Sequence, residues 1–264
     1  MTVNLFCVTK DFAICVADRR LTYASGSIAS DRAKKISQIK CQDAQLIVAF
    51  NGYAGTKMGD SPIDWMFRAK DLGSMRLLDL TYRVKLIMEN NLKAIPRDQA
   101  RLSFTLTGFW QRHPVLVHLS NYEFLKPEKT LKVAQEAMEI ELFTDDFIFA
   151  QTGYNNPEKT APTNKFKEFS KRGATPERVR KTMLKAARDI PYLGDRGGVV
   201  GANCHSVILR KTGGFSSNLH AMGGTTVYEF PDFIGSGASY SNIMVDTNPG
   251  EDGPAWGHPE TRHY

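Results

Sequence analysis

The chain has 264 residues and a formal net charge of +6, with 42% hydrophobic and 23% charged residues. A chain this long buries roughly three quarters of its unfolded surface, so its core needs no disulfide or metal staple, and the composition is that of a globular rather than a disordered protein. The positive excess is gathered in Lys165, Lys167, Lys171, Arg172, Arg178, Arg180, Lys181, Lys185 and Arg188. Only Phe166 and Phe169 are interleaved there for base stacking, so the stretch reads as a solvated helix face and nucleic acid is not expected as a partner.

The first fifty residues carry strand patterns. Leu5–Val8 and Phe12–Val16 flank the short turn Thr9-Lys10-Asp11 and predict a hairpin. Ile36 and Ile39 begin another extended segment, Gln45–Phe50 another, and Asn51-Gly52 ends it. From Pro62 the apolar spacing turns helical, with Ile63, Met66 and Phe67 in one helix and Leu77, Leu80, Val84 and Ile87 in a second that Pro96 stops. Strands follow at Leu102–Leu106 and Val115–Leu119, with a third apolar run at Phe147–Ala150 before Gln151-Thr152-Gly153. Thr175-Pro176 is a helix start, with Val179, Met183, Ala186 and Ile190 on the buried face and Pro191 at the end. Strand patterns return at Ser206–Leu209, near Ser217–Met222 and at Thr226–Phe230. Residues 1–247 read as one domain and 248–264, rich in Gly and Pro, as an irregular tail.

Runs of strands and runs of helices, rather than strict alternation, predict an α+β fold of antiparallel sheets with segregated helices. Cys7, Cys15, Cys41 and Cys204 form no CxxC pair and have no histidine at ligand spacing, so they read as reduced, buried thiols and no metal or cofactor is expected. Nothing near Cys7 would activate it. The N-terminus lacks a signal-peptide pattern and no apolar run spans a bilayer, which predicts a cytoplasmic protein without a membrane partner. His205 and His220 fall in strand-like segments as structural groups. Gly213-Gly214, Gly223-Gly224 and Gly235-Ser236-Gly237 read as turns.

Chemistry concentrates at the N-terminal end. Met-Thr favours removal of the initiator Met, leaving Thr2 with a free α-amino group that titrates at about 7.7–8.0 in model compounds. Such an amine can take the proton from the Thr2 hydroxyl. A site of this kind needs a cation beside the hydroxyl, a carboxylate to fix the cation and a backbone N–H for the oxyanion. Asp18, Lys34-Lys35 and Gly52 supply these in order, each at the end or start of a strand.

Ala17-Asp18-Arg19-Arg20-Leu21-Thr22, Lys34-Lys35-Ile36-Ser37-Gln38-Ile39 and Asn51-Gly52-Tyr53-Ala54-Gly55 resemble the N-terminal third of proteasome β-subunits and bacterial proteasome-like peptidases. The resemblance implies a four-layer αββα sandwich of two antiparallel sheets flanked by helices, the N-terminal-nucleophile hydrolase fold. It implies threonine-type peptidase activity on peptides or unfolded proteins, assembly into a homo-oligomeric ring, and an ATPase unfoldase as a partner. Counting straight from Thr2 selects Lys34 as the family's lysine. Matching the lysine string selects Lys35, which is favoured because loops tolerate insertions and strands do not tolerate slips. Thr152 resembles the hydroxyl of the family's Gly-Ser-Gly turn, and Asp195 the acidic residue that supports the terminal amine, although the serine expected three residues later is Gly198. Two other readings share the fold: a non-catalytic ring subunit that keeps its N-terminus, and an amidase acting on a small metabolite.

Overall fold

Hydrophobic runs without polar alternation open the chain because both faces of its first two strands are covered. The computed structural model describes residues 2–22, 28–30, 33–53, 61–69, 71–126, 129–153, 168, 173–192, 203–221, 226–228, 232–235 and 238–240. In β1 (Val3–Thr9) and β2 (Phe12–Asp18) every residue is buried, the pattern expected of a strand covered on both sides. Val3, Leu5, Cys7, Phe12, Ile14 and Val16 pack with Val179, Met183, Leu184 and Ala187 of the long C-terminal helix. The alternate residues Phe6, Val8, Ala13, Cys15 and Ala17 face the second sheet, meeting Ile36, Ile47, Ala49 and Leu116.

A short ribbon of β3 (Leu21–Thr22) and β4 (Ile28–Ser30) precedes β5 (Ile36–Lys40) and β6 (Ala44–Gly52). Helices α1 (Pro62–Arg68) and α2 (Leu77–Leu92) follow. Ser61 and Asp64 close a reciprocal capping box at the start of α1. No side chain of its own caps α2. The carboxylate of Asp43, from the β5–β6 turn, accepts from the Leu77 N–H at 2.7 Å and from the Trp110 indole at 2.9 Å. Next come β7 (Leu102–Trp110), β8 (His113–Ser120), β9 (Glu123–Phe124), β10 (Lys129–Thr130), β11 (Glu139–Phe143) and β12 (Phe147–Gly153). Helix α3 (Pro176–Tyr192) leads to β13 (Cys204–Arg210), β14 (Phe215–His220), β15 (Thr226–Tyr228), β16 (Asp232–Gly235) and β17 (Ala238–Tyr240).

One sheet runs β12-β1-β2-β13-β14-β15 and the other β11-β8-β7-β6-β5-β16-β17. The predicted strands and helices lie where the periodicity put them, with shifts in detail. Leu184 and Ala187 join Val179 and Met183 on the buried face of α3, while Ala186 is only partly buried. The helix ends at Tyr192, one residue past Pro191. The Gly213-Gly214 turn joins β13 to β14, with Gly213 at φ +96°. The tail 248–264 and the Gly223-Gly224 turn lie outside the described residues.

The expectation of a four-layer αββα sandwich built on two antiparallel sheets is corrected. The larger sheet is mixed, because β16 runs parallel to β5. The chain is mostly antiparallel strand, and among the described residues only three α-helices accompany the two large sheets. Helix α1 has 7 residues, and among the described residues α3 is the one helix that packs on β1, β2 and β13, so two complete helical layers are not seen there. Short strands that the sequence did not predict extend the larger sheet at its edges, β11 at one and β16–β17 at the other.

Candidate active site

Adjacent strand ends bring the first candidate residues together. Thr2 immediately precedes β1, Asp18 is the last residue of β2 and Lys35 immediately precedes β5; all three are buried. The Lys35 ammonium donates to Thr2 Oγ1 at 2.8 Å, to Asp18 Oδ1 at 3.2 Å and to the Arg20 carbonyl at 2.5 Å. An ammonium has three donors, and these acceptors use all of them. Asp18 Oδ1 also accepts from the Val3 N–H at 2.8 Å, and Oδ2 from the Arg20 N–H at 3.1 Å. One carboxylate therefore fixes both the cation and the backbone next to Thr2. Successive side chains entering a strand point to opposite faces, and Lys35, not Lys34, is the lysine bonded to Thr2.

Burial holds the Lys35 amine below its ordinary range, with the Asp18 charge and hydrogen bond pulling it back up. An ammonium 2.8 Å from a threonine hydroxyl stabilises the alkoxide form of that oxygen. Cys204 lies opposite Asp18 in the β2–β13 register. Burial, with the Asp18 carboxylate second, pushes its thiol up to about 12, so it stays protonated. Burial does the same for Cys7, whose thiol is raised to about 12.

Gly52 ends β6 at φ +94°, and a β-carbon there would stand 2.1 Å from the Arg101 carbonyl oxygen. Only glycine fits that backbone. Across the sheet interface, Asn4 of β1 donates from Nδ2 to the Phe50 carbonyl at 3.1 Å. This bond ties the strand that follows Thr2 to the strand that ends in Gly52. Thr152 lies in β12 opposite Asn4 and is buried; its hydroxyl has no hydrogen-bond partner among the described residues. Asp195 and Gly198 lie outside the described residues.

Two residues not among the expected site residues also belong here: Gly153, which ends the Gln151-Thr152-Gly153 string, and Glu123. Gly153, at φ +91°, sits against the Thr2 carbonyl, 2.0 Å from where its own β-carbon would be. Glu123, in β9, is buried and accepts from the Gly153 N–H at 2.7 Å through Oε1. Its Oε2 accepts from Asn51 Nδ2 at 3.0 Å, and the one Ser103 O–H is shared between Asn51 Oδ1 and Glu123 Oε2, the latter at 3.3 Å. The one sign of Glu123 in the sequence is a carboxylate between Tyr122 and Phe124, a charge inside an apolar run.

His205 and His220 lie in β13 and β14. His205 Nε2 meets Ser217 Oγ at 2.8 Å and His220 Nε2 meets Ser206 Oγ at 2.8 Å. Among the described residues no group of three or more His, Cys, Asp or Glu side chains is placed to hold a metal ion, and no helix is long and apolar enough to cross a membrane.

No protein-family model matches the chain, and no curated protein matches it. Solved structures do. An Anbu (Gly-1) mutant from Hyphomicrobium sp. strain MC1 aligns with TM-score 0.54 and 13% identity, covering 86% of this chain and 87% of that one. Anbu, described as an ancestral beta-subunit, from Yersinia bercovieri aligns at 0.53 and 14% identity over 80% and 81% of the two chains. The helical assembly of the Anbu complex from Pseudomonas aeruginosa aligns at 0.52 and 17% identity over 79% and 81%. These findings correct the resemblance to proteasome β-subunits and bacterial proteasome-like peptidases: the motif strings point there, but these similar folds are all Anbu proteins. At such identities the likeness is one of fold, and the chain has the Anbu fold across most of its length.

Proposed function

We propose that this chain is a threonine-type peptidase in which Thr2, freed of Met1, is the nucleophile. The observation that carries the reading is the Lys35 ammonium held between Thr2 Oγ1 and Asp18 Oδ1 in a buried site. Thr2 Oγ attacks the scissile carbonyl while its proton passes to the Thr2 α-amine. Lys35 stabilises the developing charge on Oγ, and Asp18 holds Lys35 and the Val3 N–H in place. The Gly52 N–H receives the oxyanion. The tetrahedral intermediate collapses as the protonated amine gives its proton to the leaving amine, leaving an ester on Thr2. Water, deprotonated by the same amine, then hydrolyses the ester. Thr152, through its hydroxyl, and Asp195, as the acidic support of the amine, belong to this proposal.

The reading extends to self-association. Leu78, Tyr82 and Leu86 are exposed on α2 at spacings of four residues, one face of the helix, and a helical assembly is described for the Pseudomonas Anbu complex.

A β-lactone electrophile tests the chemistry. It should acylate the wild-type chain once, with the adduct on Thr2 by peptide mapping, and Thr2→Ala should remain unlabelled and inactive. Intact mass including Met1 on an active chain, or peptide turnover undiminished in Thr2→Ala, would refute the assignment. Native mass spectrometry tests the association, a monomer at micromolar concentration speaking against it.

A further inference from the structure

The proposed chemistry uses Thr2, Asp18, Lys35 and Gly52 but leaves a second buried carboxylate unexplained. Glu123 is 2% exposed, and none of the ion pairs among the described residues involves it. A buried carboxylate without a cation is costly unless donors surround it. Its donors come from three strands far apart in sequence: Asn51 in β6, Ser103 in β7 and Gly153 in β12. Burial raises its pKa, opposed by these donors and the Tyr122 hydroxyl. Its own backbone is pinned as well, the N–H to Ser120 Oγ at 2.8 Å and the carbonyl to His118 Nε2 at 3.2 Å.

The two oxygens reach the two halves of the site. Oε1 holds Gly153, which lies against the Thr2 carbonyl, and Oε2 holds Asn51, the residue before Gly52. We infer that Glu123 is the positioning residue of this site, fixing the backbone of the nucleophile relative to the glycine that receives the oxyanion. The inference rests on the proposed threonine chemistry and deepens it. Glu123 touches neither substrate nor Oγ. It acts through Gly153 and Asn51, and a neutral amide there would present N–H to N–H on one side. The Asn51 and Gly52 backbone would then shift from its place opposite Thr2.

The experiment measures β-lactone labelling of Thr2 and steady-state peptide hydrolysis in the full chain. In Glu123→Gln, labelling and kcat should fall together on the order of ten-fold or more, since small displacements of reacting groups cost that much, while KM stays near the wild-type value. The double variant Asn51→Asp/Glu123→Gln moves the negative charge across the same hydrogen bond and should recover most of the lost rate. A carboxylate that merely supports the fold would lower the melting temperature without changing kcat per folded molecule. Wild-type labelling rates in folded Glu123→Gln, or no recovery in the double variant, overturn the inference while leaving Thr2 as nucleophile. An unlabelled wild-type chain overturns both readings at once. Should Glu123→Gln fail to fold, Ser103→Ala removes the hydroxyl shared between Oε2 and Asn51 Oδ1 and should slow labelling a few-fold, roughly the worth of one ordinary hydrogen bond. Unchanged labelling in that variant also overturns the inference.

Discussion

Gly153 lies so close to Thr2 that a β-carbon on it would stand 2.0 Å from the Thr2 carbonyl oxygen. Gly153→Ala therefore has to push the Thr2 backbone aside or abandon φ +91°. Overpacking of this kind costs about 1–3 kcal/mol, and the left-handed backbone adds roughly 1 kcal/mol more. Thermal melts should show the loss, and Thr2 labelling should slow more than the melting point alone would suggest. A variant with wild-type labelling would show that Thr2 does not depend on this contact.

Asp18 and Lys35 should behave as one unit. Asp18→Ala leaves an ammonium buried without its carboxylate, a change that costs about 3–5 kcal/mol. The double variant Asp18→Ala/Lys35→Met removes both charges and should be more stable than Asp18→Ala in urea titrations. Strict additivity of the separate effects would mean that the pair is not coupled in the folded chain.

His118 predicts sensitivity to mild acid. Its Nε2 faces the Glu123 carbonyl, which only accepts, so the proton sits on Nε2 and Nδ1 accepts from Thr105 Oγ1 at 2.9 Å. Burial lowers its pKa from 6.5 to about 4. The unfolded chain therefore binds a proton below pH 6.5 that the folded chain refuses until about pH 4. Stability falls as the pH drops through that window and levels off below it, with about 2 kcal/mol of the loss complete by pH 5. Urea midpoints at pH 7 and pH 5 should differ less in His118→Gln than in the wild type.

Asp43 caps a helix that is distant in sequence. Asp43→Ala removes the acceptor of the Leu77 N–H and of the Trp110 indole, and should cost about 1–2 kcal/mol. Trp110 fluorescence would report the change directly. Unaltered stability would mean that solvent replaces both bonds.

What was readable in the chain was local. The first hairpin, the strand ends at Asp18 and Gly52 and the lysine string are short stretches whose chemistry is carried by neighbours. Glu123 was not readable, because its role exists only where residues 51, 103 and 153 converge. The capping of α2 by Asp43 is hidden for the same reason: the helix's own N-terminal residue, Arg76, has no cap to offer. Strand β11 was overlooked although Glu139-Ile140-Glu141-Leu142 alternates as an edge strand does. The parallel pairing of β5 with β16 joins segments with no periodic relation, and no local pattern announces it.

That pairing also bears on when the protein becomes chemically competent. Strand β5, which carries Lys35 at its entrance, gains its second neighbour only from Asp232–Ile234, and Asp18 gains its cross-strand neighbour from Cys204. Thr2 is synthesised long before these partners, which at about 5–20 residues per second follow roughly ten to fifty seconds later. Until they arrive Thr2 stands without its assembled surroundings, so under the proposed chemistry the growing polypeptide is shielded from its own reactivity. Ribosome-stalled chains ending at residue 203 should resist the β-lactone that labels the finished protein.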